Sequence, residues 1–175
     1  NYIGVVDEGG KIWHVVNDNK LESFSLNSEG GIDNRRYYDV PYVNAMTLGF
    51  SSKKLPVIWL ATEKGLYFLS LDAANGSELQ PAIGPDEKPL THVAALTKAN
   101  DGSLWIVHHN ELLHRHLDGT YTHIISQWPV NSFVPLTISF RNKNEIWIGG
   151  AGGGLMRVIV DEDRVISVKQ FSEPD

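Results

Sequence analysis

The sequence predicts an all-β protein of the β-propeller class, built from four consecutive four-stranded antiparallel units. Three regularities predict it, and the first is a tryptophan that recurs 46, 46 and 42 residues apart. The second is a leucine seven or eight residues after each of these tryptophans, and the third is an aliphatic segment ahead of each. The tryptophans are Trp13, Trp59, Trp105 and Trp147, and the leucines are Leu21, Leu66, Leu112 and Leu155. Self-similarity at such a period is the signature of a stacked repeat architecture.

The middle of each unit is predicted to be a β-hairpin. Each tryptophan follows an aliphatic residue, and a short polar or glycine-bearing loop separates it from the leucine. Two apolar runs joined by such a loop are typical of antiparallel hairpins. The loops span residues 17–20, 63–65, 109–111 and 150–154.

One further strand is predicted on each side of the hairpin. The leading strands are expected at residues 3–6, 45–48, 93–96 and 136–140, and the closing strands at 35–40, 79–83, 121–125 and 165–171. The four units therefore span approximately residues 1–40, 42–83, 90–126 and 134–172 of a single domain, 1–175. A unit of this size cannot bury both faces of its sheet alone, and radial stacking of such units makes propeller blades. A helical repeat is disfavoured because no segment holds a 3.6-residue apolar period over three turns.

Two strings in the later units resemble a known repeat. Asp-Gly-Ser-Leu-Trp-Ile at 101–106 and Glu-Ile-Trp-Ile-Gly-Gly-Ala-Gly-Gly-Gly-Leu at 145–155 are similar to the two-component regulator propeller repeat. That repeat places Leu-Trp-Ile-Gly after an aspartate and a glycine, and a Gly-Leu pair follows. Lys20 and Glu111 stand where the later glycine is expected, and these departures bear on turn geometry and not on the fold.

This resemblance implies a sensor. Repeats of this family are similar to those of the extracytoplasmic sensor regions of bacterial hybrid histidine kinases and some diguanylate cyclases. A periplasmic or extracytoplasmic segment of an inner-membrane protein is therefore implied, with a small-molecule ligand of the carbohydrate class. Sensor propellers of this family usually have more than four blades, so the chain is expected to be a fragment of a larger propeller. A four-bladed ring or two half-rings stay open, and the expected protein partners are neighbouring blades, a second propeller or a second copy.

Composition narrows the range of partners and sites. Acidic residues outnumber basic ones by 21 to 15, with no basic cluster longer than Arg35-Arg36, which argues against nucleic acid as a partner. Cysteine is absent, so disulfides, a thiol nucleophile and a thiolate metal site are excluded. No apolar run approaches the ~18 residues that cross a bilayer, and the chain opens on strand-like residues without a signal peptide or initiator methionine. We therefore expect a processed or cut chain.

A metal site is not predicted, although four of the seven histidines fall in one predicted hairpin. Because side chains alternate along a strand, Trp105, His114 and His116 share one face of that hairpin. The nearest acids of the same parity, Asp101 and Asp118, lie at the strand ends. His114 is instead expected to pack beside Trp105.

No catalytic residue and no cofactor are predicted either. The glycine-rich stretch 149–154 is followed by strand residues and not by a helix, so it is interpreted as a hairpin and not as a phosphate loop. No serine lies in a Gly-x-Ser-x-Gly elbow, and the acids cluster in turns such as 161–163. The chain is therefore not expected to be an enzyme, and a kinase or cyclase domain would lie outside it.

The candidate ligand contacts lie where the links between blades meet the loops of the middle hairpins. Trp128 and Phe133 belong to the link 127–135 and fall outside the repeat, so no packing role is expected for them. Tyr42 lies in an earlier link and His109 in a hairpin loop. These four side chains are the predicted ligand-binding or partner-binding residues.

Two alternatives of other classes stay open. Lyases and lactonases are also propellers with similar Gly-x-Leu-Trp strings, and an enzyme of that kind would place a histidine or a cation among loops such as those of His92 and His109. A protein-protein interaction scaffold like the tryptophan-aspartate repeat proteins is the other, although the Trp-Asp and Gly-His signatures are missing.

Overall fold

The structure, a computed structural model, describes residues 3–17, 19–109, 111–129, 133–152 and 154–171. Part of the predicted link 127–135, Gly153 of the glycine-rich loop and both ends of the chain lie outside the described residues.

Within the described residues, sixteen strands form four separate four-stranded antiparallel sheets, and no helix is present. Blade 1 comprises β1 (Gly4–Val6), β2 (Ile12–Val16), β3 (Lys20–Leu26) and β4 (Ile32–Asp39). Blade 2 comprises β5 (Val43–Phe50), β6 (Pro56–Thr62), β7 (Gly65–Ser70) and β8 (Gln80–Pro81). Blade 3 comprises β9 (Val93–Lys98), β10 (Leu104–His108), β11 (Glu111–Arg115) and β12 (Tyr121–Ile125). Blade 4 comprises β13 (Val134–Asn142), β14 (Glu145–Ala151), β15 (Gly154–Asp161) and β16 (Arg164–Phe171). The predicted all-β fold of four-stranded blades is confirmed.

The blades lie side by side around their first strands. In each sheet the strands follow chain order, and β1 contacts β5, β5 contacts β9, and β9 contacts β13. The first strand of each blade is therefore the innermost, as in a propeller. Because the strands of a blade alternate in direction, the links between blades meet the loops between second and third strands at one end, here called the connection face. The remaining turns meet at the opposite end, here called the turn face.

Side-chain alternation explains how each blade fills two interfaces. On β6, Trp59 belongs to the cluster that faces blade 3, whereas Ile58 and Leu60 belong to the cluster that faces blade 1. All three side chains are fully buried. Three such clusters lie between consecutive blades, and each fully buried aliphatic side chain in them contributes roughly 1.5–3 kcal/mol.

The middle hairpins differ in how they make their turns. In blade 2 the glycine of the repeat, Gly65, has a φ of 141°, and a Cβ there would lie 1.9 Å from the Leu90 carbonyl oxygen. In blades 1 and 3, which lack that glycine, Asn17 and His109 take positive φ angles of 52° and 47°. The departures at Lys20 and Glu111 therefore change the turn and leave the strand pairing intact.

The outermost strand of blade 2 is shorter than the predicted 79–83. It covers only Gln80–Pro81, with an isolated bridge between Ile83 and Pro89 beyond it. Proline has no N–H to donate to a ladder, so Pro81 and Pro89 confine this segment to a short edge strand.

Blade 4 exposes the face that its counterparts bury. Trp13, Trp59 and Trp105 are at most 3% exposed, whereas Trp147 is half-buried, and Leu155 and Phe171 beside it are 40% and 38% exposed. Within the described residues no blade covers this face, so the four blades form an open arc. No helix in this part of the chain is long and apolar enough to span a membrane.

Candidate functional site

Trp128 and Phe133 are buried between blades 3 and 4. They are 4% and 3% exposed, belong to the apolar cluster of that interface, and contact each other edge to face with centroids 5.7 Å apart. The expectation that they lack a packing role is therefore wrong. A ligand contact by either ring remains a prediction.

The glycine-rich stretch makes room for this aromatic pair. A Cβ at Gly150 would lie 2.6 Å from the Val134 carbonyl oxygen and 2.8 Å from the Phe133 ring. The stretch turns between β14 and β15, where Gly150 pairs with Gly154, so the hairpin interpretation is confirmed.

Tyr42 and His109 are exposed on the connection face, and ligand binding by either stays a prediction. Tyr42 is 41% exposed, and its carbonyl accepts a hydrogen bond from the Glu63 amide in the blade 2 hairpin loop. Two residues later, Asn44 Nδ2 donates to the Val93 carbonyl of the neighbouring innermost strand at 2.9 Å. This bond ties the start of β5, next to Tyr42, to the start of blade 3.

His109 belongs to a histidine cluster that was not predicted from the sequence. Its ring centroid lies 5.1 Å from that of His92 and 4.5 Å from that of His108, and its Nε2 lies 3.4 Å from Thr91 Oγ1. His92 follows the link between blades 2 and 3, and His108 ends β10. His92 is one of the predicted loop histidines, but its contact with His109 depends on how the link folds over the hairpin.

Glu111 and His123 complete this connection-face histidine cluster. Glu111 Oε2 lies 3.4 Å from His123 Nδ1 and 3.8 Å from His108 Nδ1, which is too far for a hydrogen bond to the latter. Burial lowers the pKa of His108, the neighbouring His109 acts in the same direction, and Glu111 opposes both. His108 is therefore neutral at physiological pH.

Two histidines of this cluster share an uncommon backbone conformation. His92 and His109 both lie in the left-handed region, with φ angles of 52° and 47°. Residues with a Cβ are uncommon there, and retention of such conformations is frequent at binding and active sites. The cluster thus places imidazole groups, which can donate and accept hydrogen bonds, at backbone positions where glycine would be the least strained residue.

A second polar cluster lies at the turn face, between blades 3 and 4. His114 packs on Trp105 with centroids 4.6 Å apart, which confirms the predicted packing. Asp163, in the turn between β15 and β16, lies 2.5 Å from His114 Nδ1 and 3.4 Å from His116 Nε2. The sequence prediction considered only the acids of the same hairpin, Asp101 and Asp118, whereas in the structure the neighbouring blade supplies the carboxylate.

No family model matches the chain, and no curated protein matches it. Solved structures of similar fold include virginiamycin B lyase from Staphylococcus aureus, determined as a catalytically inactive histidine-to-alanine variant with quinupristin. Its identity to this chain is 19% and the TM-score is 0.68, and the match covers 97% of this chain and 54% of the lyase.

Extracellular domains of signalling proteins are similar to the same degree. One, from a proposed hybrid two-component system of B. thetaiotaomicron, matches at 18% identity and a TM-score of 0.65 over 99% of this chain and 25% of its own. Another from that organism matches at 19% identity and a TM-score of 0.66, over 97% of this chain and 21% of its own.

These likenesses establish the fold alone. The chain spans about half of the lyase and a quarter or less of the two-component domains. The fold is shared with an enzyme and with extracellular domains of signalling proteins, so the assignment to a specific repeat family and the expected lack of enzymatic activity stay predictions.

Proposed function

We propose that this chain is part of an extracytoplasmic ligand-binding propeller of a bacterial signal-transduction protein. The observation that carries the proposal is the connection-face histidine cluster, in which His92 and His109 keep left-handed backbone conformations although neither belongs to an apolar cluster between blades. The fold, similar over almost its whole length to extracellular domains of two-component systems, supports it. A periplasmic location and a signalling domain elsewhere in the parent protein belong to the same proposal.

The ligand that suits this surface is a small hydroxylated molecule of the carbohydrate class. The imidazoles of the cluster and the Tyr42 ring, exposed on neighbouring blades, offer hydrogen-bonding groups and a stacking surface. A ligand held by both blades binds one arrangement of the blades better than another, and this differential affinity shifts the population of the two states.

A thermal-shift screen of the chain with mono- and oligosaccharides tests the proposal. A ligand at 100 times its Kd stabilises the native state by about 2.7 kcal/mol, which raises the Tm by several degrees. His109→Gly is the variant of choice because glycine adopts the required φ without strain, and it should abolish most of the shift. Lys143→Gln at the turn face is the matched control and should retain it. A sugar shift that survives His109→Gly and Tyr42→Ala, or no shift with any sugar, contradicts the proposal.

A lyase is the second candidate, favoured by the contact between the His92 and His109 rings. Paired imidazoles on an exposed surface are suited to general acid-base chemistry. The similar lyase loses activity in a histidine-to-alanine variant. Incubation of the chain with quinupristin, followed by mass spectrometry, separates the two functions. A lyase converts the antibiotic and loses turnover in His92→Ala and His109→Ala, whereas a binding domain leaves it unchanged.

A further inference from the structure

The turn-face cluster brings together two imidazoles and one carboxylate from two blades. His114 lies on β11 and His116 directly follows that strand, and the two side chains, two residues apart, point to the same side, towards blade 4. Asp163 reaches them from the tight turn between β15 and β16, where Glu162 has a φ of 53°. One ligand atom of each residue lies within 4.8 Å of the other two. None of the three belongs to the connection-face cluster of the proposed function.

Hydrogen bonding behind His114 determines which of its nitrogens is free. Ser103 Oγ donates to Asp101 Oδ1 at 2.6 Å, because an ionised carboxylate can only accept. The Ser103 oxygen must then accept from His114 Nε2–H, which lies 2.8 Å away. In the neutral tautomer this leaves the lone pair of His114 Nδ1 directed at the Asp163 carboxylate, 2.5 Å away.

Two acceptors at this distance require a proton or a metal ion between them. A proton carried by either His114 or Asp163 satisfies both, and so does a metal ion. An outer hydrogen bond that fixes the tautomer of a ligating histidine is typical of metal sites, and Ser103 with Asp101 supplies it here.

We propose that His114 Nδ1, His116 Nε2 and Asp163 bind a divalent transition-metal ion, with zinc the best match. Two imidazoles and a carboxylate are a ligand set that zinc accepts, with bonds of about 2.0–2.2 Å and hence ligand atoms ~3.3 Å apart in a tetrahedron. The distance of 3.4 Å between His116 Nε2 and Asp163 Oδ2 agrees with this spacing. His114 Nδ1 and Asp163 Oδ1, 2.5 Å apart, would separate when the ion binds between them. The ion also replaces the 2.8 Å contact of His116 Nε2 with Thr122 Oγ1.

The site is reachable from solvent and has an open side. The side chains of His116 and Asp163 are 31% and 33% exposed, whereas that of His114 is 10% exposed. A cleft of about 820 Å³ between blades 3 and 4 is lined by all three and by Trp105. Three protein ligands and a fourth position facing a cleft leave room for water or a small anionic ligand.

The contacts from Ser103 to His114 and from His114 to Asp163 resemble those of a hydrolytic triad. The burial of Ser103 argues against that role. Ser103 is 4% exposed and does not line the cleft. Its hydroxyl proton is committed to Asp101. Ser103 is therefore a positioning residue for His114.

The test is titration of the metal-free chain with ZnCl2 by calorimetry and with CoCl2 by visible absorption. The expected result is one ion per chain, with a Co2+ d–d band that zinc abolishes. His116→Gln and Asp163→Asn should each weaken binding at least tenfold, and Ser103→Ala should weaken it by about tenfold through the lost outer hydrogen bond. Circular dichroism establishes that each variant is folded, and His116→Gln, which alters a half-exposed side chain, tests the site even if Asp163→Asn unfolds.

His109→Gln and His123→Gln are the matched controls, because they remove imidazoles from the connection-face cluster only. Both should bind zinc as tightly as the unaltered chain. The proposal is overturned if no ion binds, or if binding depends on the control histidines and not on His116. Neither result bears on sugar binding at the connection face.

Discussion

Glu145 on β14 collects several donors at one carboxylate. It accepts hydrogen bonds from Trp147 Nε1 at 3.0 Å and Arg141 Nη1 at 3.4 Å, and it forms an ion pair with Arg157 Nε at 3.3 Å. Burial of the carboxyl raises its pKa, but the Trp147 hydrogen bond and the two arginines outweigh this, and the net pKa is lower than the ordinary value. Protonation of Glu145 would therefore weaken its interactions with Trp147 and with the two arginines.

Acidification should therefore remove a contribution of Glu145 to stability. Because its pKa is lower in the folded chain than in the unfolded chain, the contribution is present above the ordinary carboxyl pKa and is lost as pH falls through the folded value. Urea unfolding between about pH 6 and pH 3 should show a steeper loss for the unaltered chain than for Glu145→Gln. Equal slopes would contradict this role, and Glu29→Gln in the exposed β3–β4 turn is the control that should leave the slope unchanged.

At the scale of elements, the middle hairpins show that one strand pairing tolerates several turns. In blade 2 glycine is needed because the hairpin approaches a neighbouring link, where Gly65 lies against the Leu90 carbonyl. Where the repeat glycine is replaced by Lys20 or Glu111, the left-handed residue moves to Asn17 or His109. The strand pairing of the hairpin is the same in these blades, and the loop of blade 3 carries an exposed imidazole, that of His109.

Gly65→Ala should therefore destabilise the chain strongly. The added methyl collides with a backbone oxygen, which cannot rotate away as a side chain can, and φ is unfavourable for alanine. We expect a loss of about 3 kcal/mol in the free energy of unfolding, measured by urea denaturation. Gly4→Ala is the control, since a Cβ there meets nothing closer than 3.4 Å and its φ is not positive. Similar small losses in both variants would contradict the close approach.

At the scale of the whole molecule, stability comes from the interfaces between blades and not from single blades. Each of the three clusters combines residues of two consecutive blades. The tryptophan at one position of every blade is fully buried only where the next blade covers it. Stability is then approximately a sum over nearest-neighbour interfaces, as in other stacked repeats.

This arrangement predicts unequal effects of the same substitution at equivalent positions. Trp59→Ala, which empties a fully buried site between two blades, should cost about 3–5 kcal/mol. Trp147→Ala, on the uncovered face, should cost less than half as much, because solvent already reaches that indole. Urea denaturation of the two variants measures the difference. Equal losses would mean that the blade 4 face is covered in solution.

The spacing of the tryptophans and the alternation of side chains were enough to predict the blades, most of their strands and the contact between Trp105 and His114. These features depend on chain-local geometry, because antiparallel neighbours follow one another and side chains alternate with a period of two. How blades meet was decided only by the tertiary structure. Trp128 and Phe133 are buried, Asp163 reaches the histidines of blade 3, and His92 contacts His109, because stacking offset and loop path join residues that no sequence interval relates.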